Sequence, residues 1–299
     1  MGAKVVITGA FSYTGKYATR LLLARGYEVR TLTNHPPAGC GSVSVSPYNF
    51  ERPEELRRSL EGASVLINTY WVRFPHGGAS FETAVQNSRA LIKATKDAGV
   101  GRIVHVSIAN PSLESRLGYY KGKAEVEQAV IASGLSYAIL RPTVIFGAED
   151  ILINNIAWFV RHFPVFGIPG DGRYGVRPIY VEDMARLLVD AAEQAGNSVI
   201  DAVGPETFSF EELVRLIAER VGRRVRLIHL PAALAYVSTV VTGWMVDDVV
   251  LTWEEYQGLM SNLLAPSGDA SGASRLSAWI SANRESVGRK YASEVGRHF

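Results

Sequence analysis

A single cysteine, Cys40, occurs among 299 residues, which excludes an internal disulfide and a multi-cysteine metal site. The six histidines form no cluster. His35, His76, His105, His162, His229 and His298 are scattered, with no His-x3-His pair and no acids at ligand spacing, so no metal site is expected. No Gly-x-Ser-x-Gly elbow is present, which removes that route to hydrolase chemistry. An excess of one charge is also missing: 31 Lys and Arg face 29 Asp and Glu, a balance that does not call for nucleic acid as a partner.

Long apolar runs are lacking too. The uncharged run Leu230–Val246 has 17 residues, just short of a spanning helix. It reads as a helix for which burial is favoured over service to an apolar substrate, and membrane-surface contact is not favoured. The first residues pass directly into an apolar strand, Lys4 to Thr8, with no basic region or cleavage site ahead of it. Gly2 does not open a myristoylation motif, because Val6 stands where Ser or Thr is required. A cytoplasmic or other reducing location is the expectation.

What is there is regular. Hydrophobic residues make up 47% and charged residues 20%, the proportions of a globular protein with a sizeable core. Apolar strand segments at 4–8, 27–33, 63–68, 102–107 and 136–141 alternate with helical segments at 14–25, 53–60, 80–98 and 118–133. The strands are apolar throughout, as when helices cover both faces of a parallel sheet. Beyond Pro142 the rhythm loosens. Helices are expected at 181–194 and 209–221, with strands near 199–203 and 224–230. The fold class is α/β: a Rossmann-type doubly wound parallel sheet over 1–147, with contributions from 176–203, and a smaller mixed C-terminal substrate lobe, mainly 148–299.

The chemistry concentrates at the strand ends. Gly9, Phe11, Ser12, Tyr13, Thr14 and Gly15 join the first strand to the first helix, where backbone N–H groups and a helix N-terminus suit a pyrophosphate. Ser12 occupies a position that glycine takes in many such turns. The second strand ends in Thr33 and Asn34 with no acid to repel a 2′-phosphate, so NADP(H) is favoured over NAD(H). Tyr119 and Lys123 are four residues apart and share a helix face, 12 residues after Ser107 ends a strand. A phenol of pKa ~10 is a poor acid or base at neutrality, but an ammonium ~4 Å away at an effective dielectric of ~20 is worth about 4 kcal/mol, roughly three pKa units.

Together these residues resemble the short-chain dehydrogenase/reductase superfamily, in its extended and atypical branches. The resemblance covers most of the chain. Asn68-Thr69-Tyr70 stands where that family has Asn-Ala-Ala, and Asn87 is similar to its helix Asn. Arg141–Gly147, with Pro142 and Val144, resembles the segment beside the nicotinamide, and Ile179–Asp183 resembles the family's Val-x-Asp segment. The resemblance implies that Tyr119 is the acid/base, that Ser107 orients the reacting oxygen, and that Lys123 holds the nicotinamide ribose and tunes Tyr119. It also places Asn68, Thr69 and Tyr70 at the cofactor.

Trp71, Phe74, Trp158 and Phe159 are candidates for an apolar substrate pocket, and Arg73, Arg161, Arg173 and Arg177 for an anionic substrate; core packing and plain surface positions remain the alternatives. Gly170–Arg177 is similar to a sugar-nucleotide epimerase segment, with Arg177 one position out of register. The implied function is an NAD(P)-dependent oxidoreductase or epimerase acting on a hydroxyl or carbonyl of a small molecule. The alternatives are a non-catalytic NADP(H)-binding sensor or accessory protein, as in the NmrA-like proteins and the complex I accessory subunit of the atypical branch, and a nucleotide-sugar epimerase/dehydratase.

Overall fold

The computed structural model describes residues 2–75, 78–246, 248 and 252–293. His76 and His298 lie outside these residues. Among the described residues no group of three His, Cys, Asp or Glu is placed to hold a metal ion.

The elements run in chain order as β1 (Lys4–Thr8), α1 (Tyr13–Ala24), β2 (Glu28–Leu32), β3 (Ser44–Ser46), α2 (Pro53–Leu60), β4 (Val65–Asn68), α3 (Phe81–Asp97), β5 (Arg102–Val106), α4 (Gly118–Ala132) and β6 (Ser136–Pro142). Then follow β7 (Ile145–Phe146), α5 (Leu152–His162), β8 (Val165–Pro169), β9 (Gly175–Val176), β10 (Ile179–Tyr180), α6 (Val181–Glu193) and β11 (Ser198–Ala202). The last elements are β12 (Phe208–Ser209), α7 (Phe210–Arg220), β13 (Arg226–Leu230), α8 (Ala232–Val246), α9 (Trp253–Met260) and α10 (Leu276–Ala282). The chain divides into two compact units, Met1–Pro142 with Val181–Ala202, and Thr143–Tyr180 with Val203–Phe299.

The first unit is a seven-stranded sheet in the order β11-β6-β5-β4-β1-β2-β3, with every neighbouring pair parallel. This is the doubly wound fold expected from the strand–helix alternation. Val6, Leu66, Ile103 and Ile139 face one layer of helices, packing with Leu56 and Leu60 of α2, Leu91 of α3, and Val126 and Val130 of α4. Val5, Ile7, Ile67 and Val104 alternate with them along the same strands and are likewise fully buried. The helices begin where short polar side chains can cap them. Ser12 Oγ accepts from Gly15 N at 3.3 Å, and Ser80 Oγ accepts from Thr83 N at 3.1 Å. β3 was not expected; it is a three-residue Ser-Val-Ser edge strand, too short to show a period in the sequence.

α4 is tied to β6 by a charge pair. Arg141 donates to both carboxylate oxygens of Glu127, at 2.9 and 2.6 Å, and the Glu127 side chain is only 4% exposed. The guanidinium fixes Glu127, one turn after Lys123 on the same helix that carries Tyr119.

The second unit has its own core, in which Ile156 and Val160 of α5 meet Phe210, Leu213 and Ile217 of α7 and Ile280 of α10. Three two-stranded pairs surround it: β10-β7, β12-β9 and β13-β8. α5 was not expected, because its first turn, Leu-Ile-Asn-Asn, carries no conventional cap. The cap comes from Asp150, whose buried carboxylate accepts from Ile153 N at 2.7 Å and from Asn154 Nδ2 at 3.0 Å. Burial pushes the Asp150 carboxyl up to about 7, against those hydrogen bonds. The uncharged run does form a helix, α8, but the expectation of burial is corrected for Leu234 and Val237, which are 59% and 54% exposed. Ala235 between them is buried, so in this stretch the helix packs through one face only. No helix among the described residues is long and apolar enough to cross a membrane.

Removing one partner of a buried ion pair leaves the other charge without compensation. Glu127→Leu alone should therefore cost roughly 3 kcal/mol of stability, whereas combining it with Arg141→Met should recover most of that loss. Urea denaturation of the four members of this cycle reads the coupling; additive losses would contradict the assignment.

Candidate functional site

The chain leaves β1 toward β2 on one side and returns through β4 on the other, so the order reverses between β1 and β4. In open parallel sheets the crevice beyond the carboxyl ends of such neighbours takes the ligand. Gly9 follows β1, Thr69 and Tyr70 follow β4, and Ser107 follows β5.

The turn after β1 is built for close approach. Gly9 has φ +67°, a conformation that glycine adopts without strain, and its carbonyl accepts from Ser12 N at 2.9 Å. A Cβ on Gly15 would stand 2.0 Å from Gly9 O, so α1 packs against the turn only because residue 15 has no side chain. Ser12 Oγ accepts from Gly15 N, which leaves its own proton available to an anion. No acid occupies the first turn of α1, and its positive end is therefore not neutralised. Phe11, Tyr13 and Thr14 lie in this same turn. Thr33 and Asn34 sit at the end of β2, where Thr33 Oγ accepts from His35 N at 3.2 Å and Asn34 Oδ1 accepts from Tyr48 N at 3.0 Å. Tyr48 is stacked on Phe50 with centroids 4.9 Å apart, and both rings lie against Tyr70. Neither Tyr48 nor Phe50 was expected here, since the intervening edge strand was not legible.

A buried polar lattice joins the strand ends. Thr8 Oγ accepts from Thr69 N at 2.7 Å and Tyr70 N at 2.9 Å, and it donates to Asn68 Oδ1 at 3.3 Å. Tyr70 N also reaches Asn68 Oδ1, at 3.0 Å. With Oδ1 fixed as acceptor, Asn68 Nδ2 must donate to His105 Nδ1, 3.1 Å away, which puts the ring proton on Nε2. His105 is fully buried; burial, and secondarily the charge of Lys123, hold its pKa well below the ordinary value. Its Nε2 has no protein partner. Asn87 Nδ2 donates to the Tyr70 hydroxyl at 2.8 Å.

Ser107 is anchored through its backbone N–H to Leu140 O at 2.8 Å. Its Oγ is buried without a protein partner. Lys123 Nζ donates to Val106 O, the residue before Ser107, at 2.9 Å. The ammonium also stands 4.5 Å from the centroid of Trp71, whose indole in turn meets the Tyr119 ring edge-on at 5.8 Å. Burial brings Lys123 down to about 7, opposed by the nearby Glu127 carboxylate. Phe81 completes an aromatic wall, 6.3 Å from Trp71 and 5.8 Å from Tyr119. The wall depends on Gly122, where a Cβ would be 2.9 Å from the indole. Ser107, Tyr119, Lys123 and Trp71 are thus linked through neighbouring contacts. Glu127 and Phe81 were missed by the sequence reading; the i, i+4 spacing of Lys123 and Glu127 was the available signal.

Arg73 follows Trp71 after β4, in the same unit, and Pro142 ends β6 there. Val144, Trp158, Arg173 and Arg177 belong to the second unit. Val144 O accepts from Ile179 N at 2.8 Å. Trp158 stacks on His162 at 4.4 Å inside an aromatic cluster with Phe159 and Tyr291. Arg173 lines an open cavity of about 530 Å³ with Glu211, Arg215 and His229. Arg177, expected at the substrate, donates instead to the carbonyls of Gly204 at 2.9 Å, Pro266 at 3.3 Å and Gly268 at 2.8 Å. It clamps two loops.

Residues 9–152 match the family described as NAD(P)H-binding. Mitochondrial NADH dehydrogenase 1 alpha subcomplex subunit 9 of Arabidopsis thaliana is 26% identical over 263 residues, 83% of this chain and 65% of that protein. The mouse counterpart, from Mus musculus, is 28% identical over 70% of this chain and 56% of its own length, so this chain spans less than two thirds of both. Ceramide reductase of Caulobacter vibrioides is 29% identical over 76% of this chain and 73% of that protein. Among solved structures, a nucleoside-diphosphate-sugar epimerase from Staphylococcus aureus superposes with a TM-score of 0.72 at 14% identity, covering 94% of this chain and all of the other. MoeE5, in complex with UDP-glucose and NAD, gives 0.65 at 21% identity over 77% of this chain and 86% of its own. These two likenesses are likenesses of fold.

Lys123 generates a prediction in pH. In the unfolded chain a lysine keeps its proton to about pH 10, whereas in the fold Lys123 releases it near 7. Between these values the unfolded state binds more protons, so stability should rise with pH across that window, and below 7 the full burial penalty applies. Lys123→Met should flatten this rise and stabilise the protein at pH 6 by roughly 2–4 kcal/mol. Urea titrations from pH 6 to 10 measure both slopes; parallel profiles would contradict the buried ammonium. The match over residues 9–152, the reversed strand order and the Gly9–Gly15 turn agree in giving that part of the chain a Rossmann-type NAD(P)H-binding domain.

Proposed function

We propose that the chain is an NAD(P)-dependent oxidoreductase that interconverts a carbonyl and a hydroxyl on a small, largely apolar molecule. The observation that carries this reading is the buried, unpartnered Ser107 hydroxyl, one residue from the carbonyl that holds Lys123. An orphaned buried hydroxyl is costly, and a substrate oxygen is the partner it lacks. The turn at Gly9–Gly15 and the N-terminus of α1 would hold the pyrophosphate, with Asn68, Thr69 and Tyr70 at the same crevice. Bound nicotinamide supplies or takes up the hydride. In the reductive direction Tyr119 gives its phenolic proton to the carbonyl oxygen while Ser107 Oγ donates a hydrogen bond to that oxygen. Lys123 holds the ribose hydroxyls and favours the phenolate left behind.

The aromatic wall of Trp71 and Phe81 beside Tyr119 supports an apolar substrate over a sugar, as does the commitment of Arg177 to loop carbonyls. The ceramide reductase relative is consistent with reduction next to a hydrocarbon chain. A second reading, binding of NADP(H) without turnover, draws on the indole that covers Lys123 and on the likeness to a respiratory-complex subunit.

Loss of absorbance at the nicotinamide band, followed with a panel of apolar carbonyls, tests turnover. Tyr119→Phe should lower it by ~10²-fold or more while NADPH affinity stays unchanged, the scale of losing a general acid. Full activity in that variant would remove Tyr119 from the chemistry, and no turnover by the unmodified chain on any carbonyl, with tight NADPH binding, would favour the second reading.

The end of β2 supports NADP(H) over NAD(H). Thr33→Asp places a carboxylate where a 2′-phosphate would lie and should reverse the preference, as read by calorimetric titration of both cofactors. Tighter NAD(H) binding by the unmodified chain would overturn this assignment.

A further inference from the structure

The C-terminal turns of α5 and α7 meet the segment after α10 around a concentration of arginine. Arg161, Arg220 and Arg284 line a cavity of about 130 Å³, with Glu285 as the acid among its lining residues. Arg223 and Arg289 are close enough to Arg161 to disfavour its charge, in addition to burial. Glu285 is already engaged on both oxygens, by Arg284 at 3.3 Å and Arg289 at 3.1 Å. Arg161 is held rigidly by the carbonyls of Val287, at 3.0 Å, and Arg284. Helix C-termini attract cations. That effect accounts for one arginine per helix end and leaves a cluster of five around a single acid unexplained. The whole chain carries a net charge of only +2, so this is a local concentration and not a general excess.

Exposed apolar side chains adjoin the cluster. Phe163, Val165 and Ile228 are 40%, 43% and 36% exposed. Phe163 lies two residues after Arg161. In the β13-β8 pair Val165 is in register with Arg226 and Gly167 with Ile228, and Arg226 N donates to Pro164 O at 2.9 Å. Phe166 and Leu227 pack on the core, so alternation turns Val165, Arg226 and Ile228 to the outer face of the ribbon.

We propose that this face of the second unit docks on an anionic bilayer surface, with a lipid phosphate seated among Arg161, Arg220 and Arg284 and with Phe163, Val165 and Ile228 entering the headgroup layer. Guanidinium forks match phosphate oxygens, and basic side chains beside protruding apolar ones are the composition that holds proteins at charged interfaces. A single-stranded nucleic acid would require several planar rings on which successive bases stack, and of the three exposed apolar side chains only Phe163 offers one. The proposal concerns the second unit alone and does not depend on the reaction assigned to the first.

Cosedimentation of the full chain with vesicles tests it, using phosphatidylcholine alone and phosphatidylcholine with one third phosphatidylglycerol, at low and high salt. Binding is expected on the anionic vesicles and should weaken with salt. Each arginine removed should weaken it by about fivefold, so Arg220→Ser with Arg284→Ser should lower partitioning by more than tenfold. Phe163→Ser with Val165→Ser should reduce binding at both salt concentrations, because it removes the apolar part. Thermal melting and NADPH affinity identify any variant that is merely misfolded, and the salt dependence of the unmodified chain stands without variants. Absence of binding to anionic vesicles, equal binding to neutral ones, or unchanged binding by the Arg220/Arg284 variant would overturn the proposal. Stabilisation by inorganic phosphate without vesicle binding would also overturn it, and would identify a site for a free anion.

Discussion

The Thr8 hydroxyl holds open the place where the nucleotide crevice forms. It sits at the end of β1, accepts from the backbone of Thr69 and Tyr70, and donates to Asn68. A hydroxyl has one proton and two lone pairs, and here all three are used. The consequence is that β4 cannot continue as a strand beyond Asn68. Its next two N–H groups turn back to Thr8, and the two strand ends part at the position where the strand order reverses. Asn68 is fixed by the same bonds, so its amide can face His105 in one orientation only, and the His105 tautomer follows. A valine at position 8 would keep the shape but leave the Thr69 N–H without its acceptor, while Tyr70 N keeps Asn68 Oδ1, at a cost of about 1–3 kcal/mol.

Much of the first unit was legible because its physics is local. Apolar strands buried on both faces, helices with Ser caps at Ser12 and Ser80, and glycines closing helices at Gly26 and Gly99 all act within a few residues of chain. The Gly9–Gly15 turn and the Tyr119–Lys123 spacing belong to the same class. What escaped detection depends on distant partners. α5 is capped by a buried carboxylate lying outside the usual cap position, and β3 exists only as an edge added to β2. Arg177 has the sequence appearance of an anion ligand, but its three acceptors come from residues 204, 266 and 268, which no spacing rule connects. The Glu127–Arg141 pair joins a helix to a strand 14 residues away and shows no motif.

Lys123 illustrates a conflict between stability and chemistry. An ammonium with a single carbonyl hydrogen bond in a buried site is destabilising, and its proton is held weakly for that reason. A core residue free to be optimised for stability would be leucine or methionine at this position. The surroundings instead reduce the penalty in three ways: the Val106 carbonyl, the face of Trp71, and the field of Glu127, itself pinned by Arg141. Such support for a costly charge is characteristic of sites where the charge has a use.

Trp71 is the departure that most shapes that use. Its indole stands 4.5 Å from the Lys123 ammonium, and with Phe81 it gives the Tyr119 ring two aromatic neighbours at 5.8 Å. The indole covers Lys123 and presents hydrocarbon next to the phenol, and it can lie there only because Gly122 has no side chain. Desolvation strengthens every remaining electrostatic contact in the pocket. It also raises the cost of any polar substrate group that arrives without a partner. Under the proposed reading, the ring that faces the Lys123 ammonium therefore also biases the site against polyhydroxylated ligands.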